Sequence, residues 1–506
     1  MINIIVYCVQ YYIRKGVLVV VSWMHVLVDF ILFSNVIFIF ATVFIERKNP
    51  TAALGWILTL IFLPVLGFFL YLLFGRNLRL LKKKSFRLKR LNDERDMSVL
   101  LQKMNERMYF FHQGIKVNKD YENIIKLIIN LADSQYTYYN KIELFTSAEK
   151  KYKALFSDIA KAKSTINILY YIIRDDSVGH RLINLLTKKA EEGVRVKILY
   201  DDAGSILTPW KMFKPLIKAG GEVKRFFPLK LTSFLRLNFR NHRKIVVIDG
   251  KIGYLGGMNI GEEYLGLNPK VSPWRDTHVK LQGEAVYFLQ LRFLEDWRYA
   301  AGAKDLLDDD LSLYFPYNDK LKELGCTGVQ IVSSGPDTCE AEIKRSMIKM
   351  IYSAEEKIYL QTPYFIPDIT FLEALQSASL AGIEVCLMIP AVPDKKLIYR
   401  VTNSYLGDVL RYGVKVYLYP GFLHSKMIII DDKVVGIGSA NIDIRSFSLN
   451  FEIMSFMYGT EIVRRCTAVF QQDYHISQEY SIEKYKNRNF AEKIEEGIFR
   501  LFSPLF

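Results

Sequence analysis

Cysteine and histidine are the scarce chemistry-bearing residues of this 506-residue chain, with five of the first and seven of the second. The cysteines (Cys8, Cys326, Cys339, Cys386, Cys466) are scattered, odd in number and never spaced as CxxC. That argues against a disulfide framework and fits a reducing compartment. No zinc-type spacing joins them to the histidines, only two of which stand in a repeated context. Negative charge is also short. Asp+Glu number 53 against 68 Lys+Arg, and the net +15 favours acidic partners, whether nucleic acid or an anionic lipid surface. The length accommodates two domains, or one duplicated domain plus a membrane segment.

Charge is missing altogether from Ala52 to Phe74, a stretch long enough to span a bilayer core of roughly 30 Å. An earlier apolar stretch runs from about Val17 to Ile45, interrupted by His25, Asp29 and Asn35, with ERKNPT at 46–51 between the two. Together they read as a hairpin of two transmembrane helices over 1–75. No A-x-A cleavage site follows the first stretch, which argues against a signal peptide. Asp29 either marks the membrane boundary or is an intramembrane carboxylate with a role. Next comes RNLRLLKKKSFRLKR at 76–90, with eight basic and no acidic residues. The positive-inside rule places it, and everything after it, in the cytoplasm. Residues 76–140 read as a basic juxtamembrane connector with no chemistry of its own.

One motif is present twice. The stretch NHRKIVVIDGKIGYLGGMN (241–259) carries His242, Lys244, Asp249, Gly256, Gly257 and Asn259. His424, Lys426, Asp431, Gly438, Ser439 and Asn441 repeat it, every member shifted by one common interval. Each copy reads as a β-hairpin, KIVVID turning at Gly250-Lys251 and KMIIID turning at Asp432-Lys433. Residues i and i+2 of a strand share a face, so each copy offers an imidazole and an ammonium together. Two copies around one cleft suit phosphoryl chemistry. One histidine attacks, the other serves as acid and then base, and Lys244, Lys426, Asn259 and Asn441 hold phosphoryl oxygens. Ser439 either binds phosphate too or only replaces Gly257 as a small turn residue. Asp249 and Asp431 complete the catalytic motif from just before the turns, where Asp is favoured, and their role is to order it. Asp276 and Glu452 are matched acids, each standing at the same spacing ahead of a glycine, Gly283 or Gly459. His278 has no counterpart and reads as structural.

Strand and helix signals alternate from about Lys141. The first half runs TINILYYII (165–173), RLINLLTKKAEEG (181–193) and VRVKILYDD (194–202) before its motif. The second runs KIYLQTPYFI (357–366), FLEALQSASLAG (371–382) and IEVCLMIP (383–390) before its own. This predicts a duplicated α/β body, 141–310 and 326–490, joined by an Asp- and Lys-rich link near Leu306–Gly325.

These residues resemble the phospholipase D superfamily, whose signature is a duplicated HxKxxxxD followed by GGxN or GSxN. Within it the chain is similar to bacterial cardiolipin synthases over nearly its whole length. YYIIRDD (170–176), WRDTH (274–278), SSGPD (333–337), QTPYFIPD (361–368), GFLHSK (421–426) and GSANIDIRSFSLNFE (438–452) carry the likeness, with ERKNP and the Trp56–Gly75 stretch. The resemblance implies a duplicated phospholipase D-like α/β/α domain with an N-terminal two-helix transmembrane hairpin, held in the cell membrane. It implies transfer of a phosphatidyl group between two phosphatidylglycerol molecules, giving cardiolipin and glycerol through a phosphohistidine. His242 would be the nucleophile, His424 the acid and base, and Asp276 and Glu452 would orient the imidazoles. The cations stand where a metal would, so neither metal nor other cofactor is expected. The expected partners are phosphatidylglycerol and anionic membrane lipid. A nuclease of the superfamily has no need for the charge-free span, so nucleic acid is not expected. The alternatives are a hydrolase of phospholipase D type, or phosphatidyl transfer to another alcohol headgroup. A non-catalytic lipid-binding protein would have no reason to keep both motifs complete.

Overall fold

The structure, a computed structural model, describes residues 25–42, 50–71, 118–132, 134–228, 239–267, 269, 271–301, 311–317, 320–338, 340–500 and 503. The basic stretch 76–90, Cys8, Cys339, residues 46–49 and residues 302–310 of the interdomain link lie outside these. The chain divides into two units, Met1–Leu88 with Phe234–Asn238, and Lys89–Ser233 with Phe239–Phe506.

In the first unit a helix over 25–40 is followed by helices Pro50–Phe62 and Pro64–Leu70. The stretch Ala52–Phe74, expected as one span, is thus broken at Leu63. Pro64 supplies no N–H for the Leu60 carbonyl, and its ring drives Leu63 out of the helical region, to φ −127° and ψ 61°. Asn35, which interrupts the first apolar stretch, meets this break. Its Nδ2 donates to the orphaned Leu60 carbonyl at 3.3 Å and to Pro64 O at 2.9 Å. Phe38, Trp56, Phe68 and Tyr71 pack beside it, and the Thr42 and Tyr71 hydroxyls meet at 2.8 Å. Among the described residues no helix is long and apolar enough to cross a membrane.

The second unit is built from two sheets of one design. The first half contributes β1 (Asn140–Phe145), β2 (Thr165–Tyr170), β3 (Arg195–Asp201), β4 (Glu222–Phe226), β5 (Arg240–Asn241), β6 (Ile245–Ile248), β7 (Ile252–Gly256), β8 (Trp274–Arg275) and β9 (His278–Gly283). The second contributes β10 (Gly328–Ser334), β11 (Lys357–Gln361), β12 (Phe365–Ile366), β13 (Glu384–Pro390), β14 (Lys415–Tyr419), β15 (Phe422–Leu423), β16 (Met427–Ile430), β17 (Val434–Gly438), β18 (Ile442–Asp443), β19 (Asn450–Tyr458) and β20 (Gln478–Glu479). The strand orders are β1-β9-β7-β6-β2-β3-β4 and β10-β19-β17-β16-β11-β13-β14-β20. Apart from β20 they match strand for strand, which is the duplication written in topology. Strands β2 and β11 are buried along most of their length between helices, as runs such as TINILY require. Gly193 and Gly382 end equivalent helices at φ 88° and 89°, a left-handed position where glycine carries no Cβ penalty. The helix Lys119–Ala132, within the stretch read as a connector, buries Ile124, Ile125 and Ile128 in the core of the second half.

Two short strands leave their own half. β5, just before His242, pairs in parallel with β19 (Arg240↔Asn450, Asn241↔Phe451), and β15, just before His424, pairs in parallel with β8 (Phe422↔Trp274, Leu423↔Arg275). Arg243 locks the first crossing. Fully buried, its Nη1 donates to both oxygens of Asp296 at 2.7 and 2.8 Å, and its Nε to the Glu452 carbonyl at 3.1 Å. Asp296 lies on helix Ala285–Ala301, which packs against both sheets. Removing one member of a buried pair strands the other charge, so Asp296→Ala is expected to lower stability by about 3–5 kcal/mol. The measurement is the midpoint of chemical or thermal unfolding.

Candidate active site

Each motif histidine lies in the extended link between a crossing strand and its hairpin, not in the hairpin strand itself: His242–Lys244 joins β5 to β6, and His424–Lys426 joins β15 to β16. The crossings fix what each histidine meets. His242 N donates to Phe451 O at 2.9 Å, the residue before Glu452, and His424 N donates to Arg275 O at 2.6 Å, the residue before Asp276. Each imidazole consequently pairs with the acid of the other half. His242 Nδ1 lies 3.1 Å from Glu452, and His424 Nδ1 lies 2.7 Å from Asp276. Matching the repeats in sequence identifies the two acids but does not say which histidine each serves.

Glu452 is fully buried and takes hydrogen bonds from Ser439 Oγ at 2.5 Å and Ser446 Oγ at 3.0 Å. Burial works to raise its pKa, yet His242, Lys244 and the Ser439 hydroxyl hold it below the usual range. The Ser439 hydroxyl thus faces the acid behind the histidine, where a phosphate-binding role and a bare turn role were the sequence alternatives. Gly257, its counterpart, is small for a related reason. An added Cβ there would stand 2.1 Å from Asp276 Oδ1, so the shorter acid reaches its histidine through space that a side chain would fill.

Lys244 and Lys426 are buried, and each Nζ donates to the backbone carbonyl of its own histidine, at 2.6 and 2.5 Å. Burial pulls Lys244 down to about 7 and Lys426 to about 8; Glu452 and Asp276 oppose that on both, and the Lys426 charge lowers Lys244 further. The two His-Lys pairs therefore form one electrostatic centre. Burial and then Lys426 push His424 down to about 3, and burial also lowers His242. Both shifts favour the uncharged imidazole.

The amides stand at the edge of this centre. Asn259 Oδ1 accepts from Ile172 N at 3.2 Å and its Nδ2 donates to the Tyr264 hydroxyl at 2.5 Å. Asn441 Nδ2 donates to Asp443 at 2.9 Å, leaving its buried Oδ1 without a partner among the described residues. Asp249 and Asp431 lie at the far ends of their hairpins, in the left-handed region at φ 52° and 48°. Asp249 accepts backbone N–H bonds from Lys163, Ser164 and Thr165, and Asp431 from Glu355, Glu356 and Lys357. They tie the hairpins to β2 and β11 and touch no reacting group. His278 is buried, with neither ring nitrogen hydrogen-bonded among the described residues.

Several neighbours escape a reading based on the repeat because they have no copy. The Tyr171 ring meets His242 edge-on at 4.9 Å, while His424 is walled by Trp274 at 5.5 Å, Phe422 at 5.6 Å and Tyr264 at 6.3 Å. Asp201 anchors the first crossing by accepting Asn241 N at 2.8 Å.

Two mirrored sheets that exchange strands to build one centre of paired imidazoles and ammoniums define a phospholipase D-like domain. The family model described as "Cardiolipin synthase, PLD-like domain" matches residues 155–271 and 347–474, and the one described as "Phospholipase_D-nuclease N-terminal" matches 34–76. The chain is 43% identical to the major cardiolipin synthase ClsA of Bacillus subtilis (strain 168), over 95% of this chain and 99% of that protein. It is 41% identical to the cardiolipin synthase of Oceanobacillus iheyensis, over 93% and 97%. The crystal structure of a phosphatidylserine synthase from Haemophilus influenzae Rd KW20 shares the fold, with a TM-score of 0.55 and 15% identity over 76% of this chain and 97% of that one. The chain belongs to the cardiolipin synthase family.

Glu452→Gln and Asp276→Asn keep shape but no longer hold the imidazoles as a carboxylate does. Each is expected to reduce kcat by about 10²–10⁴-fold with little change in KM, read in single-turnover and steady-state assays. The lysines set a second expectation. A depressed ammonium loses its proton as pH rises, so kcat/KM should fall as pH climbs through about 7–8, the values held by Lys244 and Lys426. A bound phosphodiester anion favours the charged lysines, so the same limb in kcat should lie at higher pH.

Proposed function

We propose that this chain transfers a phosphatidyl group from one phosphatidylglycerol to the terminal hydroxyl of a second, yielding cardiolipin and glycerol. The observation that carries this reading is the pair of carboxylate-held imidazoles around two buried ammoniums, in a chain similar end to end to cardiolipin synthases. His242 attacks phosphorus as the bond to the glycerol oxygen breaks, and His424 gives that oxygen its proton. The phosphatidyl group then rests on His242. His424, now neutral, takes the proton of the incoming hydroxyl as its oxygen forms the new bond to phosphorus and His242 leaves. Lys244 and Lys426 hold the phosphoryl oxygens, joined by Asn259 and Asn441, whose Nδ2 atoms each carry a second hydrogen beyond the bond they already make. The substrate also explains how an imidazolium arises. A phosphodiester anion beside the histidines favours their charged form, so substrate binding invites a proton onto His424.

We infer further that the first unit is a membrane hairpin and that the catalytic body is cytoplasmic. Phe30, Phe33, Val36, Ile37 and Phe40 on the first helix, and Leu54, Leu58, Ile61, Leu66 and Phe69 on the next two, are exposed apolar side chains, a composition suited to lipid. Substrates that stay in the bilayer require such an anchor.

The test is purified full-length protein in phosphatidylglycerol vesicles, following lipid products and released glycerol. Wild type is expected to give cardiolipin and glycerol one for one, and His242→Ala and His424→Ala to give neither. Phosphatidic acid without cardiolipin would establish hydrolysis instead.

A further inference from the structure

We propose that the catalytic body makes its own contact with an anionic bilayer, through the segment 203–221 beside His242. This rests on the phosphatidyl-transfer reading only for the choice of lipid. The segment, AGSILTPWKMFKPLIKAGG, contains three lysines and no acidic residue. Its side chains divide cleanly. Met212, Phe213 and Leu216 pack into the first-half core, whereas Ile206 is 68%, Leu207 73%, Trp210 37% and Ile217 39% exposed. Lys211, Lys214 and Lys218 are exposed among them. Exposed apolar tips, an indole and lysines within one short segment are what a headgroup boundary selects: the indole and stems enter the acyl edge, and the ammoniums meet anionic phosphates.

The exposed tips are held in place by hydrogen bonds. Ala203 N and Gly204 N donate to Asp201 Oδ1 at 3.0 and 2.9 Å, Ser205 Oγ accepts from Ile173 N at 3.0 Å, and Thr208 Oγ1 donates to Ile173 O. The Arg225 guanidinium lies 4.9 Å from the Trp210 ring centroid. Bracing that keeps apolar residues in water implies a partner that covers them. The same bracing runs to the reaction centre. Ser205 Oγ also donates to the carbonyl of Tyr171, whose ring rests on His242, and Asp201 holds Asn241. On the other side of Leu207 stand four acids with partners in the fold: Asp175 meets His180 Nε2 at 2.9 Å, and Asp176, Glu262 and Glu263 accept from Gly179 N, Ser177 N and Arg174. Docking this surface would set the site at the depth of a lipid phosphodiester.

Full-length protein carrying p-benzoylphenylalanine at Leu207, or at the equally exposed Leu380, would be reconstituted in phosphatidylglycerol–phosphatidylcholine vesicles and irradiated. Lipid adducts are expected at 207 at about tenfold the yield at 380, since only the former lies in the headgroup layer. Cross-linking to a second copy of the chain, or equal yields at both sites, would overturn the proposal. Independently, the double variant Ile206→Ser, Leu207→Ser should lose about tenfold in turnover on vesicles and none on dispersed short-chain phosphatidylglycerol in detergent, because it loses interfacial burial only. Equal loss in both formats would also overturn it. Should the wild type make no cardiolipin in either format, the transfer reading fails while the cross-linking result still decides the docking.

Discussion

The two strand crossings are the constraint on which the rest of this structure depends. Strands β5 and β15 are only two residues long, and each pairs with the half that its own hairpin does not belong to. That pairing delivers His242 to Glu452 and His424 to Asp276, through backbone bonds one residue away from the acid. Neither half holds a complete histidine–carboxylate pair by itself. Assembly of the two halves and assembly of the chemistry are therefore one event. The buried Arg243–Asp296 pair, adjacent to His242, ties the crossing to the helix between the sheets, where a failure of docking would also be a failure of catalysis.

Placing two imidazoles, two ammoniums and two carboxylates in one buried space creates an electrostatic problem that the arrangement resolves. Desolvation alone would discharge the lysines, and it is the dominant effect on both. Glu452 and Asp276 oppose it, so the acids that orient the imidazoles also keep the ammoniums near their charged form. The backbone carbonyls of His242 and His424 accept from the lysines, giving each buried cation a partner that does not compete for substrate charge.

Much of this was legible in the sequence. The common interval between the two motifs required a duplicated fold, and the matched spacing of Asp276 and Glu452 to a glycine picked out both acids. Other features were not legible, for physical reasons. A repeat aligns each acid with its own half, and only three-dimensional exchange of β5 and β15 reveals the crossed pairing. Ser439 looked like a phosphate ligand or a turn residue because its hydroxyl's direction is set by Glu452, thirteen positions along the chain but adjacent in the sheet. Pro64 was visible, yet its effect on the Ala52–Phe74 run depends on Asn35, which reads in sequence as a mere interruption and in space fills the break. Arg243, Tyr171 and Trp274 have no copies, so repetition does not mark them.

The residues without copies are also what distinguish the surroundings of the two histidines. The motifs supply nearly the same groups twice, and symmetry of that kind cannot tell an attacking imidazole from one that moves protons. The walls around the two imidazoles do differ. His424 is enclosed by three aromatic rings and held at about 3, with the shorter bond to its acid. Among the described residues His242 meets one ring, that of Tyr171, and the Asn241 N–H before it is held by Asp201. A reaction that joins two lipids needs one centre and two dissimilar approaches to it. Duplication provides the first, and side chains without a copy in the other half provide the second.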